Sequence, residues 1–499
     1  MANHRSYFRS VLLLALGACG LAVGTGVYSA DAQSLESIRL EAETFGAAGT
    51  GERLPFWLAA NQYGTVDPAS ANAGLQVGAH RPFAEPSGFD YAFGAEVLGR
   101  ASQNGTVTVH ELYGRLQYWT LQLTAGRREQ ITGRVDTSLS LGSVTRSRNA
   151  PPVPRITLSS DGYVPVPGTA GGLALKGSLT HGWLEGDRFV RDAFVHEKSL
   201  YLRLLPPDFL VTAHAGITHH AQWGGTSALS GPLDSSFGEW VAVLFSSDVL
   251  SREPTDDVTV GTVGANHIAM YDFSLNVDLG GWRGLAYRQF FHEDIASFWF
   301  RNVWDGLWGV SLRRDDESAF VSAVLWEHLR MTRHNARFSA GETRGADTYY
   351  NHGNYRGGWT YQGRTLGIPL LTPASSTPGL RGDLPGIGNN IVVAHHVGVE
   401  GHLGAGLSYQ ALGTYSRNYG AGGVCQAAAC ETRGDERTDR RDQWSFRVRV
   451  GGPLSERHGL RVHAAVALDT GEFYDDRVGI HLGLQWRGVY GPDAMPTSR

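Results

Sequence analysis

The stretch QWSFRVRV, residues 443–450, alternates strictly between polar and apolar side chains. Every second residue from Trp444 to Val450 is apolar, and the others are Gln, Ser and Arg. Because successive side chains of a β-strand point to opposite faces, this period of two predicts a strand with one apolar and one polar face. The same alternation recurs at 272–279, 397–403 and 477–487, which predicts further strands of about ten residues.

The chemistry of the two faces distinguishes a membrane barrel from a soluble sandwich. The polar faces carry Arg, His and Gln, and the apolar faces end in aromatic residues such as Trp119, Tyr415 and Trp486. Lipid admits only closed sheets, which have an apolar outer band, aromatic girdles and a polar lumen. The sequence therefore predicts an all-β fold, a transmembrane outer-membrane β-barrel of antiparallel strands. Its last residues, GPDAMPTSR, lack the terminal aromatic residue typical of such barrels.

The first 32 residues resemble a secretory signal peptide. Two arginines precede a short apolar run, and the sequence ADA at 30–32 fits a signal peptidase site. The sequence LGAC at 16–19 also resembles a lipoprotein box, which would place the cut before Cys19. We favour a signal peptide over 1–32. No linker or low-complexity segment divides residues 33–499, which are predicted to form one barrel.

Charge and cysteine content limit the possible ligands. The net charge of −5 at pH 7 lacks the basic footprint of a nucleic-acid-binding protein. Cys425 and Cys430 are predicted to close a small loop disulfide in an oxidising compartment. Two free thiols are the alternative, and a zinc site is disfavoured because no second Cys or His pair lies beside them. We expect neither a metal nor another cofactor.

One segment breaks the period of two. Residues 226–250 place apolar side chains, from Phe237 to Phe245, at helical spacing after residues that can cap a helix. We predict that this segment forms an internal plug of the barrel. A helix on the surface of a long loop is the alternative.

The stretch 176–225 is unusually rich in side chains that bind sugars or line a wet cavity. It contains THGW, HEKSLYLR and THHAQWGG, in which His stands beside Trp or a charged residue. Both lysines of the chain, Lys176 and Lys198, also fall in this stretch. Because an ammonium is compact and strongly hydrated, unlike a guanidinium, Lys198 is a candidate partner for a sugar carboxylate.

Eleven motifs follow one another along nearly the whole mature chain: PFWLAANQYG (55–64), GR (126–127), NAPPVPRI (149–156), KGSLTHGW (176–183), HEKSLYLR (196–203), GITHHAQWGG (216–225), NH (266–267), HEDIASFWFRNVWDGLWG (292–309), GADTYYN (345–351), GWTYQGRTLGIPL (358–370) and TYSRNYG (414–420). Together they resemble the Wzi capsule assembly family. The resemblance implies an outer-membrane barrel of about eighteen strands that is plugged by helical elements. It also implies a lectin-like protein that holds capsular or extracellular polysaccharide at the cell surface. We further expect outer-membrane lipid and a polysaccharide export system as partners, no nucleic acid, and a monomeric protein.

Polysaccharide binding needs aromatic platforms for sugar rings and planar polar groups for their hydroxyls. The resemblance supplies no agreed catalytic set, so no catalytic residue is assigned and the candidates rest on residue chemistry. Any single Trp or Tyr also suits an aromatic girdle, but a girdle does not explain His beside Trp. The predicted carbohydrate-binding residues are His181, Trp183, His196, Glu197, Lys198, Tyr201, Arg203, His219, His220, Gln222, Trp223, Asn266, His267, Asp305, Trp308, Asn351, Trp359 and Tyr361.

Two other functions remain open on the sequence. Glu197, Asp305 and the run His292-Glu293-Asp294 contain enough carboxylates for the pair that a glycosidase places across the scissile bond. The polar lumen also suits a channel for sugars or other nutrients, which a plug would oppose. We favour a protein that binds its polysaccharide without changing it chemically.

Overall fold

The computed structural model describes residues 38–84, 88–103, 105–160, 162–247, 264–293, 302–335, 347–380, 384–421 and 440–490. The predicted signal peptide and the predicted disulfide between Cys425 and Cys430 lie outside these residues.

Eighteen antiparallel strands form one closed sheet in the described part of the chain. Consecutive strands pair, and the first pairs with the last, from Ile38 opposite Tyr490 to Gly49 opposite Gly479. All four alternating stretches of the sequence coincide with strands, with Leu279 alone falling one residue beyond a strand end, so the predicted barrel is confirmed. The strands are β1 (Ile38–Arg53), β2 (Ala69–Arg81), β3 (Phe89–Ala101), β4 (Thr106–Tyr118), β5 (Leu121–Arg127), β6 (Pro154–Ser160), β7 (Leu173–Trp183), β8 (Phe194–Leu204), β9 (Val211–Trp223), β10 (Asn266–Asp278), β11 (Trp282–Glu293), β12 (Gly306–Arg314), β13 (Ala323–Met331), β14 (Val392–Gly404), β15 (Leu407–Asn418), β16 (Arg441–Ser455), β17 (Leu460–Gly471) and β18 (Arg477–Tyr490).

The two ends of the barrel differ in the length of their connections. At the turn end, strands are joined by short turns such as residues 279–281 and 405–406. At the loop end, long loops such as residues 128–153 and 332–391 join them. Bacterial outer-membrane barrels have short turns on the periplasmic side and longer loops on the extracellular side. We therefore assign the turn end to the periplasm and the loop end to the cell exterior.

The outward face of the wall is apolar. Leu200 and Val448 are each about half exposed, and many other large apolar side chains share this face. Trp183 and Trp308 lie towards the loop end of this surface, and Trp119 lies at the turn end. An apolar band between two aromatic girdles is the surface that lipid requires. Among the described residues, no helix is both long and apolar enough to cross a membrane.

Three segments from the loop end fold back and fill the lumen. They are residues 54–68, which include the short helix α1 (Phe56–Ala59), residues 128–153, and residues 347–380 with 384–391, which are named together as the segment 347–391. Their apolar side chains, such as Leu139, form one buried core with inward side chains of the wall. Burying one such large apolar side chain contributes about 1.5–3 kcal/mol. The barrel is therefore plugged, and we call these three stretches the lumen-filling segments.

Polar contacts fix the lumen-filling segments to the wall. Glu327 on β13 accepts hydrogen bonds from the N–H of Leu141 at 2.7 Å and the hydroxyl of Ser140 at 2.8 Å. His396 on β14 bonds the carbonyl oxygen of Leu139 through its Nε2 atom, at 2.7 Å. These buried groups are satisfied only while the segment is in place, so the plug is an integral part of the fold.

A second helix, α2 (Phe237–Phe245), lies on the outside of the barrel. Trp240 and Val243 pack in a cluster with Trp223, which is the last residue of β9. Side chains along β9 alternate between the lumen and the outside, and His220 points into the lumen. Trp223, three residues later, therefore points outward, and α2, which packs against it, covers the outer wall. On its other face, Phe237 and Phe245 are 77% and 66% exposed and continue the apolar surface of the barrel.

The position of α2 differs from the predicted internal plug at 226–250. The described part of that segment, residues 226–247, does not enter the lumen and forms the alternative, a helix on the surface. The amino-acid composition of the helix explains why the sequence did not predict its position. An almost wholly apolar helix suits a lipid-facing wall as well as a packed lumen, so helical spacing alone could not distinguish the two positions.

Candidate functional site

The barrel wall divides the predicted sugar-binding residues into two groups. Pairing places His181 opposite His196, and Glu197 opposite His220. Opposed residues share a face whereas successive residues alternate, so Glu197 and Lys198 point in opposite directions. The outward group is His181, Trp183, His196, Lys198, His219, Trp223, His267 and Trp308, and the inward group is Glu197, Tyr201, Arg203, His220, Gln222 and Asn266.

The outward group mainly supports α2 and the aromatic girdle. The ammonium of Lys198 donates to the carbonyl of Leu244 and to the hydroxyl of Ser246, the latter at 3.2 Å. The rings of His219 and His267 are joined by a hydrogen bond of 2.9 Å. These contacts give polar groups partners on a wall that otherwise faces lipid. Most of this group is therefore covered by protein, and the exceptions are Trp183 and Trp308, which are 39% and 43% exposed.

Glu197 is the centre of the inward group. Its carboxylate pairs with Arg146 of the lumen-filling segment 128–153 and with Arg155 at 3.6 Å, and it lies 3.5 Å from the Nδ1 atom of His220. Burial lowers the pKa of the Arg146 guanidinium well below its ordinary value, and the charge of Arg155 lowers it further. Glu197 is therefore the counter-charge that these buried cations require.

The lumen-filling segment 347–391 is held by inward residues of the wall and by predicted residues of its own. The amide of Gln222 donates to the carbonyl of Gly358 at 3.1 Å and accepts from Asn266 at 2.9 Å. Trp359 donates its indole N–H to the carbonyl of Thr145 at 2.7 Å. Asn351 and Tyr361 likewise bond neighbouring protein groups and are buried. The structure thus gives these predicted residues supporting roles in the plug.

Asp305 is a fully buried anchor at the loop end. Its carboxylate accepts the N–H groups of Arg333 and His334 at 2.9 Å each, and the hydroxyl of Tyr349 at 2.9 Å. Such a set of donors saturates the carboxylate and fixes the start of β12. The predicted role of Asp305 in sugar binding therefore receives no support from its position.

The other carboxylates considered for sugar cleavage are engaged in the same way. Glu293 accepts the N–H of Tyr350 at 3.0 Å, and Glu197 has the cations named above. His292, next to Glu293, faces outward, and Asp294 lies outside the described residues. No group of three or more His, Cys, Asp or Glu residues in the described ranges could hold a metal ion.

A polar cavity of about 460 Å³ lies inside the barrel, between the lumen-filling segments and the turn end. It extends from Ser160 and Tyr163 near the turn end to Glu197 and His220 beneath the segment 128–153. We call it the luminal cavity. Of the residues predicted from sequence, it collects Glu197, Lys198, Tyr201 and His220 in its lining, although the ammonium of Lys198 is bound to α2 on the other side of the wall.

Two rows of polar side chains run across β5 to β8 on the wall of the luminal cavity. The hydroxyls of Thr157 and Thr180 lie 2.9 Å apart, and those of Ser178 and Ser199 lie 2.7 Å apart. Sequence reasoning missed these residues because each type is common. The available signal was the alternation of Ser and Thr with apolar residues in β6 and β7. In register, the rows are Thr124, Thr157, Thr180 and Glu197, and Gln122, Ser159, Ser178 and Ser199.

The luminal cavity carries an excess of positive charge. Glu197 is the only carboxylate among the described residues that line it. Arg134 donates to the hydroxyl of Ser274 at 2.7 Å and to the amide oxygen of Asn276 at 3.0 Å, both neutral partners. The cationic side chains that line the cavity are Arg115, Arg128, Arg134, Arg155 and Lys176. Oriented hydroxyls beside such cations form an environment suited to a polar, negatively charged molecule.

A family model described as capsule assembly protein Wzi matches residues 57–372. The chain belongs to the Wzi capsule assembly family. The matched residues include the whole lining of the luminal cavity and the lumen-filling segment 128–153. Family membership and the closed eighteen-stranded barrel together identify an outer-membrane protein, as the alternation predicted.

Among solved structures, the barrel fold of the Wzi family is matched by Wzi of Escherichia coli, an outer-membrane protein involved in group 1 capsule assembly and a carbohydrate-binding β-barrel. It is 16% identical, with 89% of this chain and 83% of that chain covered and a TM-score of 0.55. OccK5 (OpdH) of Pseudomonas aeruginosa is 10% identical, with 91% and 98% covered and a TM-score of 0.47. No curated protein sequence matches the chain.

Proposed function

We propose that this Wzi-family protein binds capsular or extracellular polysaccharide at the outer membrane and helps to assemble or retain it at the cell surface, without cleaving it. The family match over residues 57–372 carries this proposal. The Escherichia coli relative, a carbohydrate-binding barrel involved in capsule assembly, supports it. The buried, fully engaged carboxylates Glu197, Glu293 and Asp305 favour binding over cleavage, because a general acid must reach the glycosidic oxygen.

The lumen-filling segments favour binding over conduction. Their apolar side chains join the inward wall in one core, as Leu139 and Trp359 illustrate. A conducting pore needs a continuous water-filled path. The packed core interrupts that path between the loop end and the luminal cavity.

We also propose that the protein is a monomer that contacts outer-membrane lipid and receives polysaccharide from an export system. The pairing of β1 with β18 closes the sheet of described strands, which supports a monomeric protein. The apolar outer band contacts outer-membrane lipid. The polysaccharide would be delivered by an export system that carries it across the envelope.

The test is to incubate the refolded protein with the purified surface polysaccharide of the producing cell and to separate the mixture on a sizing column. We expect intact polymer to co-elute with the protein, because a binding protein leaves the chain length unchanged. Bovine albumin in the same buffer controls for trapping in the polymer. Polymer that shortens would assign a catalytic role instead. Polymer that neither binds nor shortens, together with conductance in a planar bilayer, would favour a channel.

A further inference from the structure

We propose that the luminal cavity binds a short acidic segment of glycan, one that carries uronate or similar carboxylate-bearing sugars. The proposal rests on the proposed function, because it specifies the ligand of a polysaccharide-binding protein, but it can fail independently. Its site is a described cavity inside the barrel, which shares Glu197, Tyr201 and His220 with the residues predicted from the sequence.

The size of the luminal cavity fits a short saccharide. Its volume is about 460 Å³. Pockets that enclose small ligands occupy about 300–1,000 Å³. The ion pair of Arg146 with Glu197 joins the lumen-filling segment 128–153 to the wall above it. The cavity therefore holds a few sugar units and does not let a polymer pass through the barrel.

Its wall offers the hydrogen-bonding groups that sugar hydroxyls need. The paired hydroxyls of Thr157 with Thr180, and of Ser178 with Ser199, are adjacent in register on one face. Each hydroxyl provides one donor and two acceptor positions, so a pair that shares one hydrogen bond keeps further capacity. The two rows thus present a polar surface that can replace the water around a saccharide.

The positive charge of the luminal cavity favours an acidic sugar over a neutral one. Among the described lining residues, five cationic side chains face one carboxylate, that of Glu197, which is already paired with Arg146 and Arg155. The Arg134 guanidinium donates to the side-chain oxygens of Ser274 and Asn276, and the nearby Asp272 carboxylate, which accepts the backbone N–H of Arg134 at 2.7 Å, offsets part of its charge. A carboxylate on the ligand would gain charge-assisted hydrogen bonds from such guanidinium groups. A neutral sugar would make the hydroxyl contacts alone.

Its position places the ligand on the periplasmic side of the plug. The lining includes Ser160, the last residue of β6, and Tyr163, which follows β6 at the turn end. Tyr163 also presents a ring beside Arg203, whose guanidinium carbon is 5.6 Å from the ring centroid. An aromatic ring beside a cation suits the apolar face of a sugar that bears a carboxylate.

Isothermal titration of the refolded protein with digalacturonate and with maltose tests the proposal. We expect digalacturonate to bind at least about tenfold more tightly than maltose, because charge-assisted hydrogen bonds are roughly twice as strong as neutral ones. Arg134→Gln should weaken digalacturonate binding about tenfold and leave maltose binding unchanged. Arg283→Gln is the matched control, since Arg283 pairs with Asp315 in an exposed turn-end contact away from the cavity.

A second variant covers the case in which Arg134→Gln does not fold. Ser199→Phe places a ring in the cavity without removing a cation, and we expect it to abolish the binding of both sugars. Folding of each variant is checked by heat-modifiable mobility on a gel. Sulfate is the competitor: if it binds as tightly as digalacturonate, the cavity is a simple anion site and the proposal is overturned.

The results separate this proposal from the proposed function. If the native polysaccharide co-elutes with the parent but digalacturonate does not bind, or binds the parent and both cavity variants equally, the cavity assignment is wrong and the function stands. If digalacturonate binds and both variants weaken it while the polysaccharide fails to co-elute, the cavity assignment stands and the polysaccharide function is wrong.

Discussion

At the residue scale, Glu327 anchors the lumen-filling segment 128–153 to β13. Its carboxylate accepts the hydroxyl of Tyr287 at 2.6 Å, besides the N–H of Leu141 and the hydroxyl of Ser140. In Glu327→Gln, the amide oxygen can still accept the N–H of Leu141, but an NH₂ group replaces the oxygen that accepts both hydroxyls. The buried O–H donors of Ser140 and Tyr287 then lose their acceptor, at a cost of about 1–3 kcal/mol. We expect the free energy of unfolding, measured by urea titration in detergent, to fall by about that amount.

The control for Glu327→Gln is Glu456→Gln, the same chemical change at an exposed turn between β16 and β17. Its free energy of unfolding should stay within about 0.5 kcal/mol of the parent value. Equal effects of the two substitutions would show that Glu327 does not anchor the plug.

The neighbours Glu197 and Lys198 show which features of the candidate site could be predicted from the sequence and which could not. The sequence suggested one sugar-binding cluster at 176–225, and pairing does bring its members to adjacent strands. Alternation, however, sends Lys198 to the outer wall and Glu197 to the lumen. Their partners are Leu244 in α2 and Arg146 in the lumen-filling segment 128–153. The positions of both elements depend on long-range packing, which local sequence does not encode.

At the element scale, Lys198 ties α2 to the barrel. Its ammonium donates to the carbonyl of Leu244 near the carboxyl end of α2, where a cation is also favoured by the helix dipole. We expect Lys198→Ala to loosen α2, seen as faster amide hydrogen exchange over residues 237–245, and to leave polysaccharide co-elution unchanged.

Leu200→Ala is the control for this change, because Leu200 lies on the same face of β8 further from α2. It should leave exchange in α2 at the parent rate. Weakened polysaccharide binding in Lys198→Ala with parent-like exchange in α2 would instead support the role that the sequence suggested for this lysine.

The lumen-filling segment 128–153 also has a pH-dependent contact. Burial acts to raise the pKa of Asp136, but Arg313, at 3.1 Å, and the N–H groups of Leu139 and Ser138 act more strongly together, so this pKa lies below its ordinary value of 3.8. A depressed folded-state pKa contributes stability that is present above the unfolded value and is lost as pH falls through the folded value.

We therefore expect the lumen-filling segment 128–153 to loosen below pH 3.8. Between pH 5 and 7, the contribution of Asp136 to its stability should not change. Limited proteolysis of residues 128–153 with pepsin across pH 2 to 5 measures this. Asp136→Asn, which cannot titrate, should already be cleaved faster at pH 5. An identical cleavage profile for Asp136→Asn and the parent would contradict the account.

At the scale of the whole molecule, the barrel was predictable because one rule applies to every strand. A strand in lipid must alternate, as 443–450 does, and must close on itself, as β1 and β18 do. The plug was predicted to exist but not located. Residues 128–153 and 347–391 carry no helical or strand period, and their burial arises from contacts such as that of Trp359 with Thr145, more than 200 residues apart.

The measurement that tests the central claim most directly is made in the producing cell, after deletion of the gene and complementation with the parent protein. Polysaccharide is assayed separately on washed cells and in the medium, with its chain length. The account predicts that deletion moves polymer from the cells to the medium at unchanged total amount and chain length, and that complementation reverses this. An unchanged cell-bound fraction, or longer polymer after deletion, would contradict the claim that the protein retains polysaccharide without cleaving it.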